Sequence, residues 1–136
     1  MAMNDRNLRT IEISALSVSI IVTVLAMLYA AAWEISLESF LFILWAVSPY
    51  ICLFLVGVLL RKITSISKIS LVFCVTSLLM LGFTLLIYIG TLGDESSTYA
   101  LIFLFVPIYL YIGGIILLGS GLILALFLRS SKDKDI

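Results

Sequence analysis

The chain has 136 residues, of which 63% are hydrophobic and 12% are charged. A soluble domain usually carries about 25% charged residues, so this composition excludes an ordinary water-soluble protein. The eight basic and eight acidic residues balance to zero net charge, which argues against nucleic acid as a partner because nucleic-acid binding needs a basic surface.

The apolar residues form four long blocks, and each block predicts a helix that crosses a lipid bilayer. At about 1.5 Å per residue, roughly 20 residues match the ~30 Å hydrocarbon core. Only a helix satisfies its own backbone hydrogen bonds within a block of this kind. We expect the first block to be a retained helix because its apolar stretch exceeds the roughly 7–15 residues of a cleaved signal peptide. The spans are predicted at 13–33, 40–60, 69–90 and 99–128.

The connections between the blocks are short, which predicts that sequential helices are antiparallel neighbours. The sequence therefore predicts one all-α domain over residues 1–136, an integral membrane four-helix bundle. The polar residues 129–136 are predicted to form a disordered cytoplasmic tail.

Charge alternates between the two ends of the bundle. All eight Lys and Arg residues fall in the two tails and the second loop, and the positive-inside rule makes that side cytoplasmic. Both termini are thus predicted to be cytoplasmic. The first and third loops carry only acids, which are more simply explained as ordinary outer-loop residues than as a calcium site. These acids are Glu34, Glu38, Asp94 and Glu95.

The location that we prefer is the inner (plasma) membrane of a bacterium. The alternative is the endoplasmic reticulum, because Lys132 and Lys134 stand fifth and third from the end. This spacing resembles a dilysine retrieval signal.

Small residues follow one face of the first span. Ala15, Ser19, Thr23 and Ala26 recur at spacings of 4, 4 and 3, which places them on one side of a helix. In lipid, such residues let helices pack closely, although small residues are common in membrane helices in any case. Gly114 and Gly121 are the corresponding packing candidates of the fourth span.

Two prolines lie inside apolar blocks. Pro49 predicts a kink in the second span, which is a candidate hinge. Pro107 divides a block of 30 residues that is longer than a bilayer needs. Either the helix breaks there, leaving residues 99–106 outside the span, or one long tilted helix continues through it. In the first case Phe103 and Phe105 are candidates for contact with a partner.

No catalytic, cofactor or metal site is predicted. The chain has no histidine, and Cys52 and Cys74 do not form a C-x-x-C pair. The predicted spans contain no charged residue, which argues against a coupled transporter. Small multidrug transporters also have four short helices, and they carry a carboxylate inside the first. The nearest equivalent here is Glu12, at the cytoplasmic edge of the first span. We do not expect Glu12 to act as such a transport carboxylate.

Three functions are considered, in decreasing order of preference. The first is a non-catalytic membrane protein that binds a partner, as an accessory or regulatory subunit or an immunity-type protein, in a homo-oligomer or with another membrane protein. The second is an oligomeric channel or pore for ions or small neutral solutes. The third is an intramembrane enzyme that acts on lipid. We expect no cofactor, and we expect the protein not to be an enzyme.

Overall fold

A computed structural model describes residues 4–30, 36–63, 68–91 and 99–134, and of residues 30, 91 and 99–103 it describes the backbone alone. Four helices account for nearly all of these residues, and the described part of each is long and apolar enough to cross a membrane. The predicted set of four apolar helices is therefore confirmed. The helices are α1 (Asp5–Ala30), α2 (Leu37–Ile63), α3 (Ile69–Thr91) and α4 (Tyr99–Lys134).

Local side chains explain where the first two helices begin. The Asn4 side chain accepts a hydrogen bond from the backbone N–H of Arg6 at 3.4 Å. The Ser36 hydroxyl accepts one from the backbone N–H of Ser39 at 3.2 Å. Both are N-caps, which satisfy backbone donors that the first turn of a helix leaves without partners. The cap at Asn4 makes α1 begin well before residue 13, the predicted start of the first span.

The end of α4 differs from the prediction. The tail at 129–136 was expected to be disordered, but the helix continues to Lys134, and residues 135 and 136 lie outside the described part. Lys132 and Lys134 occupy the last turn, where positive charge interacts favourably with the helix dipole. The continuation is therefore consistent with the polar composition of the tail.

Helix α4 runs through Pro107 without a break. Of the two predictions for this block, the structure therefore agrees with the continuous helix. It contains 36 residues, or about 54 Å of helix. Pro107 has no N–H to donate to the carbonyl of Phe103. In the same turn, the Trp45 indole of α2 donates to the carbonyl oxygen of Leu104 at 3.3 Å. This bond attaches the turn of α4 that contains Pro107 to α2.

The core lies between α1, α2 and α3. Helix α1 packs most extensively on α3, while α4 lies against α2 and α3 at the side of the bundle. Tyr50, Phe73 and Tyr88 are fully buried and fill the centre. In the most apolar 18-residue segment of α4 only 11% of the residues are buried, compared with 33–39% in the corresponding segments of the other helices. Helix α4 therefore contributes least to the core.

Candidate functional site: a buried polar column

The inward face of α1 carries both small and polar residues. Glu12, Ala15, Ser19, Thr23 and Ala26 are all buried, at spacings of 3, 4, 4 and 3. The four packing candidates of the first span thus lie inside the bundle, together with a carboxylate one turn earlier. From Glu12 to Thr23 this face extends for about 16 Å along the helix axis.

The inward face of α2 meets α1 with one tyrosine and one arginine. Ala46, Tyr50, Leu53 and Gly57 are buried, and Arg61 follows Gly57 by four residues on the same face. Helix α3 adds the buried hydroxyls of Ser70, Ser77 and Thr84. We call the following set the polar column: Glu12, Ser19, Thr23, Tyr50, Arg61, Ser70, Ser77 and Thr84.

An ion pair joins Glu12 of α1 to Arg61 of α2 at one end of the polar column. Glu12 is fully buried, and the Arg61 side chain is 14% exposed. The guanidinium carbon of Arg61 lies 5.5 Å from the centre of the Phe73 ring of α3, within range of a cation–π interaction. Three helices therefore meet at this pair. Because each charge is shielded from water, the loss of either would leave the other without compensation.

Gly57 makes room for the ion pair. A Cβ atom at this position would lie 3.2 Å from Cδ1 of Phe73 and 3.3 Å from Oε1 of Glu12. Both distances are tighter than ordinary van der Waals contact, so a larger residue would displace the ring or the carboxylate. The absence of a side chain at Gly57 allows Glu12 and Phe73 to approach α2.

The burial of Glu12 and its ion pair with Arg61 were not predicted from the sequence, in which Glu12 precedes the predicted first span. The helix begins early enough to place Glu12 two turns inside α1, where the other helices cover it. One signal was present in the sequence, because Glu12 precedes Ala15 by three residues and so extends the stripe of small residues. Its partner could not be inferred, since Arg61 was assigned to the second loop.

Hydroxyl groups link the three helices further along the polar column. The Tyr50 hydroxyl lies 2.5 Å from the Thr84 hydroxyl and 3.3 Å from that of Thr23. Thr84 donates to the carbonyl of Met80 and Thr23 to that of Ser19, at 2.7 and 2.8 Å. The Tyr50 O–H is therefore free to donate to Thr84. The Tyr50 hydroxyl of α2 thus contacts both α1 and α3.

A second, smaller cluster joins α2 to α4. The Tyr111 hydroxyl donates to the Ser48 hydroxyl at 2.8 Å and lies 3.5 Å from the sulfur of Cys52. The rings of Trp45 and Tyr111 are 6.2 Å apart between centroids. Together with the bond from Trp45 to Leu104, these contacts hold the Pro107 end of α4 against α2. Hydropathy alone did not predict this cluster, because its residues are far apart in sequence.

The remaining candidates occupy different environments. Pro49 and Pro107 are buried within their helices, and Gly114 is buried near Met80. A Cβ at Gly121 would lie only 2.7 Å from Cγ1 of Val72, so α3 and α4 approach closely there. Phe105 is 46% exposed. The side chain of Phe103 lies outside the described residues, as do Glu34, Asp94 and Glu95.

Two side chains show which faces of their helices turn inward. Tyr88, near the end of α3, is fully buried. Cys52 is exposed, whereas Cys74 is buried, and neither forms a disulfide. These side chains depend on which way a helix face is turned, and hydropathy does not give that direction when every face of the helix is apolar.

Comparison with known protein families, with curated proteins and with solved structures finds no match to this chain.

The chemistry open to the polar column follows from its contacts. Its charged groups neutralise each other, and its central hydroxyls are engaged with one another or with backbone carbonyls. Among the described residues, no three His, Cys, Asp or Glu side chains are grouped so as to hold a metal ion. The arrangement is suited to fixing three helices in one register, because the Glu12–Arg61 pair and the contacts of Tyr50 with Thr23 and Thr84 each join two different helices.

Proposed function

We propose that the chain is a multi-pass protein of a bacterial plasma membrane, with antiparallel sequential helices and both termini in the cytoplasm. The distribution of Lys and Arg supports this orientation. The antiparallel arrangement is supported by the pairing of Glu12, near the start of α1, with Arg61, near the end of α2.

Within that membrane, we propose that the protein acts without catalysis, by binding another membrane protein or a second copy of itself. The accessory, regulatory and immunity-type roles all use such binding. The observation that carries the proposal is the exposure of α4, of which the bundle buries so little. A helix that adds little to the core is available for contacts outside the bundle.

One face of α4 has features that favour helix association. We call it the open face: Phe105, Tyr109, Ile112, Ile116, Gly119, Ile123 and Phe127, at spacings of 3 or 4. Nothing lies within 4 Å of a Cβ built on Gly119, so another helix backbone has room to approach. Tyr109 is 61% exposed and adds a hydroxyl to this apolar surface. Small residues and polar side chains are the features that drive helix association in lipid.

The interior gives the pore alternative no comparable support. Tyr50, Phe73 and Tyr88 fill the centre of the bundle, and the Glu12–Arg61 pair occupies one end. A pore would therefore have to form between copies. We expect liposomes that contain the pure protein to remain impermeable to ions and small neutral solutes.

Photo-crosslinking in living cells tests the partner-binding proposal. A photoreactive residue at Ile116, on the open face, is compared with one at Ile21 of α1, which is similarly exposed. We expect a discrete protein adduct from position 116 and adducts with lipid alone from position 21. Adducts with lipid alone from both positions would contradict the proposal. A discrete adduct with twice the mass of the chain would identify the partner as a second copy.

A further inference from the structure

A groove runs between the beginning of α3 and the end of α4, on a different face of α4 from the open face. Its volume is about 250 Å³. Apart from Lys68 and Thr76, its walls are apolar, so in a membrane they present hydrocarbon to whatever occupies the groove. The lining residues are Lys68, Leu71, Val72, Val75, Thr76, Leu117, Gly121, Leu124, Ala125 and Leu128.

Positive charge collects at one end of this groove. Lys68 is itself a lining residue and is exposed. Arg129 follows Ala125, a lining residue, by four positions, and Lys132 follows Leu128 by four. Residues four positions apart lie on one face of a helix, so both cations lie on the face of α4 that forms the groove wall.

These cations are available to a ligand. Among the described residues, the ion pair in the structure joins Glu12 and Arg61. Lys68, Arg129 and Lys132 take no part in it. Lys68, Arg129 and Lys132 are all exposed, and Asp133 is the one described acid in the last two turns of α4. The end of the groove therefore carries an excess of positive charge.

We propose that this groove binds an anionic phospholipid. One acyl chain lies along Leu71, Val75 and Leu124, and the phosphate is held by Lys68 and Arg129. The charge and the shape agree on this occupant, because an apolar channel that ends in cations matches a lipid tail joined to an anionic head group. Basic pockets between membrane helices on the cytoplasmic side recognise anionic lipids in this way. The inference uses the proposed membrane orientation but is independent of the partner on the open face.

Native mass spectrometry of the full chain tests the proposal. The protein is exchanged into micelles that contain equal amounts of phosphatidylglycerol and phosphatidylcholine, and the retained lipids are counted. We expect the wild-type protein to retain phosphatidylglycerol selectively. Equal retention of the two lipids by the wild-type protein would overturn the proposal without the use of any variant.

The head-group contact is tested by the double variant Lys68→Gln/Arg129→Gln. Since each cation near an anionic lipid surface contributes about fivefold to affinity, we expect roughly a 25-fold loss in phosphatidylglycerol binding. The matched control is Arg6→Gln/Arg9→Gln, which removes two exposed cations from α1. An equal loss in the control would show that general surface charge, and not the groove, retains the lipid, and would overturn the proposal.

The acyl-chain contact is tested by Leu124→Trp, which fills the groove. Leu55→Trp in α2 is the control, because both leucines are 58% exposed and lie at similar distances from a basic helix end. We expect lipid to be lost from Leu124→Trp and retained by Leu55→Trp. Retention by both variants would contradict the proposed position of the acyl chain.

Discussion

At the scale of single residues, the energetics of the bundle depend most on the pair formed by Glu12 and Arg61. In Glu12→Ala, the mostly buried guanidinium loses its only counter-charge among the described residues. We expect a loss of about 3–5 kcal/mol in the free energy of unfolding, the cost typical of breaking a buried pair. Unfolding in mixed micelles of increasing denaturing-detergent fraction measures this loss. The control is Glu38→Ala, at an exposed position, with an expected change below about 0.5 kcal/mol.

The companion variant Glu12→Leu/Arg61→Met removes both charges and fills a similar volume. Since replacing a buried pair by apolar residues is often neutral or stabilising, we expect the double variant to recover most of the stability lost in Glu12→Ala. The single variants Glu12→Leu and Arg61→Met complete the comparison. If the double variant loses as much stability as the two single variants together, the two charges are not coupled.

The Tyr50 hydroxyl provides a second test at this scale. Tyr50→Phe keeps the ring in the centre of the bundle and removes the contacts with Thr23 and Thr84. Interhelical hydrogen bonds in membranes contribute about 0.6 kcal/mol on average and up to about 1.7 kcal/mol, so we expect a loss in this range. The same unfolding measurement on Tyr29→Phe, an exposed tyrosine of α1, should show no loss. Equal stability of the two variants would mean that the Tyr50 hydroxyl contributes nothing.

At the scale of helices, Gly121 sets how closely α3 and α4 pack. Gly121→Ala places a Cβ against Val72, and overpacking of this kind costs about 1–3 kcal/mol. Gly119→Ala is the control, because that position is open and alanine favours a helix over glycine by up to about 1 kcal/mol. We expect Gly121→Ala to lower the midpoint of unfolding and Gly119→Ala to leave it unchanged or raise it. Val72→Ala should restore the stability of Gly121→Ala; failure to do so would place the strain elsewhere.

Four helices could be predicted from hydropathy because each must satisfy its backbone hydrogen bonds within one apolar block. Their ends were less predictable. Hydropathy marks where a membrane would begin, whereas α1 begins at a cap on Asn4 and α4 continues into a polar segment. A helix is not obliged to end where its apolar residues end.

The polar column was predictable only in part. The spacing of Ala15, Ser19 and Thr23 indicated the inward face of α1, since packing in lipid selects small and polar residues. The partners of these residues depend on which helices adjoin and at what depth. Neither the Glu12–Arg61 pair, separated by 49 positions, nor the contact of Trp45 with the Pro107 turn has a local signal.

At the scale of the whole molecule, the distribution of charge makes a prediction about orientation. Ser36→Cys and Ser131→Cys introduce thiols at exposed positions near opposite ends of the bundle. We expect a membrane-impermeant maleimide to label position 36 in intact cells and position 131 only after the membrane is opened, because Lys and Arg keep their side cytoplasmic. The Cys52→Ala background removes the exposed native thiol. The reverse labelling pattern would contradict the proposed orientation.

The pairing of Glu12 with Arg61 also affects how the protein is made. The ribosome synthesises α1 first, and Glu12 has no arginine partner until residue 61 has been added. An unpaired carboxylate is costly wherever lipid covers it, so under the proposed membrane orientation we expect α1 to gain its full stability only after α2 has followed it. The first two helices are then expected to leave the translocation machinery as a pair, with Phe73 of α3 covering the arginine when the third helix arrives.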